Sequence, residues 1–263
     1  MPVSPEGQPR PEVQEARLKI AAAGDVHCGD ATDPEALAAA FAAAAERVDL
    51  ILLAGDLTTH GEPAQAAVLA AACRPLAVPV LTVLGNHDWH SNRRDEVVAA
   101  LEEGGIDVID GGHRTLQVDG TEVGVVGAKG FVGGFPGSHM PDFGEPLLRE
   151  LYAETSREVE AIGGGLEAIA HCPLRVVLLH YAPTTETLEG ERRDIWAFLG
   201  TDRLAPPIIE HAPDLVLHGH AHAGTFEGQV GGVPVYNVSI PVLGEDFWLF
   251  SLSGAQRIPS PLH

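Results

Sequence analysis

The sequence predicts an α/β domain in which two sheets share one site, and three observations lead there. Short apolar runs alternate with longer segments of helical composition, the pattern of strands joined by helices. Several of these runs end directly in Gly-Asp, Gly-Asn or His, so their polar groups would emerge at strand ends, where α/β folds bind ligands. After a Gly-rich stretch in mid-chain, strand-like runs ending in His begin again, with no clean linker and no sequence repeat between the halves. A hydrophobic content of 45% in 263 residues is ample for the core such a domain needs.

Taken in order, residues 1–17 are Pro- and Glu-rich with no apolar stretch, which predicts a disordered tail and not a signal peptide. That leaves 18–263 as one domain. Residues 19–23, 50–54 and 80–83 read as consecutive strands of one sheet. Between the first two, Asp33 caps a helix with Pro34 at its first position, followed by an Ala-rich run to Arg47. Residues 62–74 and 93–103 read as the next two helices, each stopped near a Pro or a Gly pair. Past Gly104-Gly105, segments 108–109, 114–118 and 122–126 suggest an antiparallel stretch with a hairpin at Asp119-Gly120. The Gly-rich loop 129–144 carries Phe131, Phe135, His139 and Phe143 and is too long for a plain connector, so a substrate-facing role is expected of it. A long helix follows over 146–162. Strand 175–179, a helix near 206–211 and strands 215–217, 233–238 and 247–252 complete the chain.

Charge excludes several functions. With 16 Lys+Arg against 37 Asp+Glu, the net charge of −21 repels phosphate backbones and anionic membranes, so no non-specific nucleic-acid binding is expected. The most apolar runs, such as 50–54 and 176–179, fall far short of the ~20 residues a membrane span requires. Three widely spaced cysteines (Cys28, Cys73, Cys172) indicate neither a disulfide framework nor a thiolate zinc site, and reduced thiols point to a cytoplasmic protein. The oligomeric state is not legible.

Five clusters of metal-ligand side chains sit at the expected strand ends: Asp25-Val26-His27, Gly55-Asp56, Gly85-Asn86-His87-Asp88, His180, and Gly219-His220-Ala221-His222. Each alone has a plain reading, such as a turn after a strand or a pair of surface histidines. Together, each following an apolar strand, they converge. Imidazole with carboxylate and amide oxygen, and no thiolate, suits Mn, Fe, Zn or Ni.

In this order the motifs D-x-H, G-D, G-N-H-[DE], H and G-H-x-H are complete, and the chain resembles the calcineurin-like metallophosphoesterase superfamily over residues 19 to about 240. The resemblance implies a four-layer αββα sandwich with two divalent metal ions between the sheet ends. It assigns Asp25, His27 and His222 to the first ion, Asn86, His180 and His220 to the second, and Asp56 to both. Two cations about 3.5–4 Å apart can hold a hydroxide between them and grip phosphoryl oxygens during in-line attack. His87 would contact phosphate and protonate the leaving oxygen, work that suits an unperturbed pKa of about 6.5. Asp88 would either support His87 or cap the following segment.

The expected activity is hydrolysis of a phosphodiester or pyrophosphate bond in a small phosphorylated molecule. The alternatives are a nuclease of the double-strand-break repair type, which the acidic charge opposes, and a non-catalytic scaffold of the same fold, which would have lost ligands. In the protein-phosphatase branch G-D continues as G-D-x-x-D-R-G; here His60 stands at the arginine position and Arg93 and Arg94 are the nearest arginines after the second motif. A diester needs less positive charge at phosphorus than a dianionic monoester does. His60, His90, Arg93 and His139 are the candidate substrate contacts. Cys28 reads as a buried structural thiol, Lys129 as a solvated cation or a neutraliser of substrate charge, and His171, His211 and His263 as ordinary solvated or capping histidines.

Overall fold

The computed structural model describes residues 17–253; of the tail expected over 1–17, residues 1–16 lie outside them, as does His263, whereas Arg17 opens the first strand. Along the chain run β1 (Arg17–Ala23), α1 (Pro34–Ala45), β2 (Leu50–Ala54), α2 (Pro63–Cys73), β3 (Val80–Val83), α3 (Arg94–Glu103), β4 (Ile106–Val108), β5 (Gly112–Val118), β6 (Thr121–Gly127), α4 (Pro146–Ala168) and β7 (Leu174–Leu178). There follow α5 (Trp196–Leu199), α6 (Ala205–His211), β8 (Leu215–His218), β9 (Glu227–Val230), β10 (Val233–Asn237), α7 (Ile240–Leu243) and β11 (Trp248–Ser253).

The strands form two sheets, ordered β11-β1-β2-β3-β4 and β5-β6-β7-β8-β10-β9. Within each the inner strands are parallel, and β11, β5 and β9 join antiparallel. Parallel strands covered on both faces should be continuously apolar. LILLA of β2 is buried throughout, whereas edge strand β5 alternates half-buried and exposed positions up to buried Val118. Successive residues point to opposite faces: Leu52 and Val176 meet between the sheets, while Ile51 and Leu53 pack under Phe41, Leu69 and Leu101 of α1 to α3. Val177 and Val216 pack under Ile162, Leu166 and Ile208 of α4 and α6. The layers are therefore helices, sheet, sheet, helices, the αββα sandwich that the resemblance implied. No described helix is long and apolar enough to cross a membrane.

Three details depart from the expectations. The segment around Val108 is not antiparallel, because α3 returns through Gly105 (φ +82°) to lay β4 parallel against β3, completing a crossover unit. Only β5 and β6 form the expected hairpin, turning at Asp119 and Gly120, both with positive φ. Helix α4 continues past residue 162 through three glycines. A side-chain carbon on Gly165 would come 2.8 Å from Val126, so the gap lets helix and sheet approach, and packing overrides poor helix propensity. Strand β9 and helices α5 and α7 were not anticipated.

Candidate metal centre

The strand ends of both sheets meet at one edge, where short backbone links weld the loops together. Asp25 N–H donates to Gly55 O (2.9 Å), His27 N–H to Asp56 O (3.0 Å) and Gly219 N–H to His180 O (3.2 Å). To turn its side chain into this junction the chain takes left-handed backbone at Asp25 (φ 59°), His27 (48°), Asp56 (49°) and His220 (71°). Non-glycine residues there cost about 1–3 kcal/mol each, and such strain concentrates at functional sites. Glycine supplies the remaining space: a side-chain carbon at Gly85 would overlap the Asp56 carboxylate, and one at Gly55 would lie 2.7 Å from His180 Nδ1.

Asp56, buried, occupies the centre. Its Oδ1 accepts from His87 N–H (2.8 Å) and lies 3.3 Å from His180 Nε2, while Oδ2 lies 3.8 Å from His27 Nε2 and 3.9 Å from His87 Nε2. Asp25 Oδ1 is 2.9 Å from His222 Nε2, and its carboxylate accepts from the His220 amide. His180 Nε2 meets Asn86 Oδ1 at 2.9 Å. The candidate ligand atoms fall into overlapping groups, Asp25/His27/His222, His27/Asp56/His87 and Asp56/His180/His220, each within 4.8 Å. All seven sequence-derived ligands are thus brought together.

The far ring nitrogens are also engaged. His180 Nδ1 is 2.8 Å from Ala54 O and His220 Nε2 is 3.1 Å from Phe198 O, so each can donate there and turn its other nitrogen inward as a lone pair. Burial lowers the pKa of both histidines to about 3, and burial also lowers His27. Burial, opposed by the His222 hydrogen bond and aided by repulsion from Asp56, raises Asp25 to about 6, while that same hydrogen bond raises His222. Two buried carboxylates face His27, His180 and His220, whose charged forms burial disfavours, so the pocket is short of positive charge. Divalent cations supply what this donor set lacks, so the residues fit the metals that the family usually binds.

His87 stands beside this cluster, its ring about one-third exposed, with Nδ1 2.8 Å from Thr59 O. That carbonyl, two residues beyond the Gly-Asp-Leu segment, fixes the ring and leaves Nε2 facing Asp56; its only sequence signal was its place after the motif. Asp88 reaches neither His87 nor a helix start. It is fully buried and accepts from Gly85 N–H (2.8 Å), Leu57 N–H (3.2 Å), Thr58 N–H (2.9 Å) and Thr58 Oγ1–H (2.7 Å), which ties the loop bearing Asp56 to the loop bearing Asn86 and His87. Asp88 is a positioning residue.

The expected substrate contacts separate. His90 lies tilted against His87 with ring centroids 4.3 Å apart. The Arg93 guanidinium is held by Glu62 and Glu96, His139 pairs with Asp202 at 2.9 Å, and His60 is exposed with its amide on Gln65. Lys129 is not solvated: it is buried 3.6 Å from Glu158, with Nζ 4.2 Å from the centre of the Phe131 ring. Tyr181, unremarked in the sequence, packs its ring against His180 and His220.

The model of the calcineurin-like phosphoesterase family matches residues 18–224. No curated protein sequence matches the chain. Among solved structures, a phosphopantetheinyl hydrolase from Mycobacterium tuberculosis is similar at 17% identity and TM-score 0.57, over 84% of this chain and 88% of that one. The TT1561 protein of Thermus thermophilus is similar at 20% identity and TM-score 0.55, over 94% and 98%. A putative 5'-nucleotidase from Staphylococcus aureus is similar at 15% identity and TM-score 0.57, over 90% of this chain and 51% of its own. At these identities the likeness is one of fold.

Proposed function

The chain belongs to the calcineurin-like phosphoesterase family, and from that premise we propose that it hydrolyses a phosphodiester or pyrophosphate bond in a small phosphorylated molecule, using two divalent ions. The observation that carries the reading is Asp56, whose Oδ1 faces His180 and whose Oδ2 faces His27. Asp25, His27 and His222 would hold one ion, Asn86, His180 and His220 the other, and Asp56 both. Mn, Fe, Zn or Ni suits these donors. Such ions, when bound, supply Lewis acidity that lowers the pKa of water and draws charge from phosphoryl oxygens.

The remaining work falls to the chain. His87, its Nδ1 proton held by the Thr59 carbonyl, would carry a second proton on Nε2 and deliver it to the leaving oxygen. Neutral His180 and His220 keep lone pairs available for ligation near neutral pH. The diester preference is supported by what surrounds His87: a neighbouring histidine, His90, and an Arg93 whose guanidinium is already neutralised by two glutamates. Among the described residues no guanidinium fork is arranged there for a dianionic monoester.

Comparing kcat/KM for bis-p-nitrophenyl phosphate and p-nitrophenyl phosphate under one metal condition tests the proposal. A clear preference for the diester is expected. Preference for the monoester, or efficient dephosphorylation of a phosphoserine peptide, would overturn it.

A further inference from the structure

We propose that Glu122, His171 and Cys172 form a separate metal site, taking a thiophilic divalent cation of the Zn²⁺ class, at the end of the second sheet opposite the candidate active site. Glu122 lies near the start of β6, and His171 and Cys172 close the turn between α4 and β7. Since β6 and β7 run parallel with Val123 beside Leu174, that turn sits next to Glu122. His180 follows the far end of β7, so the five residues of that strand separate the two sites by roughly 17 Å.

The ligand atoms are already gathered. His171 Nε2 is 3.5 Å from Glu122 Oε2 and 3.7 Å from Cys172 Sγ, and all three lie within 4.8 Å of one another. Tetrahedral zinc, with bonds of about 2.0–2.3 Å, spaces neighbouring ligand atoms by roughly 3.3–3.6 Å, so the cluster needs only a small contraction. Two features hold the thiol in place. Cys172 N–H closes a turn onto Ile169 O (2.9 Å), and Sγ rests over Gly124, where a side-chain carbon would come 3.1 Å from it. Gly124 is two residues from Glu122, hence on the same strand face. The neighbouring cation, Arg175, is engaged with the carbonyls of His211 and Ala212.

Cys172 is buried, while His171 is exposed and opens the cluster to solvent, which leaves the fourth position to water. On binding, the thiol proton passes to solvent and the thiolate ligates the metal. The donor set differs in kind from the active-site set, since one ligand is sulfur. Spacing gave no hint of it, because Glu122 stands far upstream of His171.

Cobalt is the probe, in full-length protein first stripped of metal. Co²⁺ should produce a thiolate-to-metal charge-transfer band in the near ultraviolet that is lost in Cys172→Ser and retained in Cys28→Ser. His171→Ala, at an exposed position where folding is not at risk, should hold one zinc ion fewer per chain than wild type. Absence of the band, its survival in Cys172→Ser, its loss in Cys28→Ser, or equal zinc content in His171→Ala would each overturn the proposal. Neither readout depends on phosphoesterase activity.

Discussion

Replacing Asp88 with alanine removes the acceptor that binds two motif loops together. Its two oxygens take four hydrogen bonds from Gly85 N–H, Leu57 N–H, Thr58 N–H and the Thr58 hydroxyl, in a site with no exposure to solvent. The hydroxyl can rotate away, but three buried amides are left without partners, at about 1–3 kcal/mol each. The loss of roughly 3–9 kcal/mol is large beside a total stability of about 5–15 kcal/mol. At about 2–4 °C per kcal/mol for a chain of this size, the melting temperature should fall by about 6 °C or more. Asp88→Asn keeps one acceptor oxygen and should lose less. Thermal unfolding followed by circular dichroism, in chelator so that metal binding does not contribute, gives the number. Where the variant remains folded at low temperature, the pH–rate profile should keep its shape, because Thr59 and not Asp88 holds the His87 ring. An unchanged melting temperature, or full stability with a shifted profile, would refute the bracing role and place Asp88 in the chemistry.

His87→Ala should retain bound metal but lose about 10²–10⁴ in turnover, more for alkyl than for p-nitrophenyl leaving groups; equal losses across a leaving-group series would remove it from proton donation. Gly85→Ala should push the Asp56 carboxylate aside and lower metal content and activity together, and elemental analysis matching wild type would show that the close approach does not matter. Burial raises the Cys73 thiol to about 12, whereas an unfolded thiol ionises near 8.5. Above pH ~8.5 the unfolded chain therefore binds fewer protons than the native one, and stability should decline as pH rises towards 12. Urea midpoints at pH 8 and 10 should show a shallower decline in Cys73→Ala, and identical slopes would contradict the assignment.

Strand ends were the legible part. Runs such as LILLA before Gly55-Asp56 announce both a buried parallel strand and the polar group at its tip, so the clusters holding the seven candidate ligands are legible, and the structure brings those seven residues together. Family resemblance supplied the four-layer stacking of the two sheets between helices, which no local pattern carries. Groups whose role depends on chain-distant partners were not legible. Asp88 looks like a general-acid partner because it adjoins His87, yet its oxygens point to amides some thirty positions earlier as well as to nearby Gly85. Lys129 reads as a loop cation until α4 brings Glu158 beside it, and Arg93 reads as free until Glu62 and Glu96 close on it. The expected helix ends at 162, short of the glycines at 163–165, because the helix-to-sheet gap that Gly165 fits is a tertiary feature.

Asp56 is the residue that would hold both of the proposed metal ions, and elemental analysis of Asp56→Asn beside wild type, purified and loaded identically, tests that role most directly. The variant should hold at least one ion fewer per chain and lose hydrolysis of bis-p-nitrophenyl phosphate. Unchanged metal content together with full activity would contradict the account.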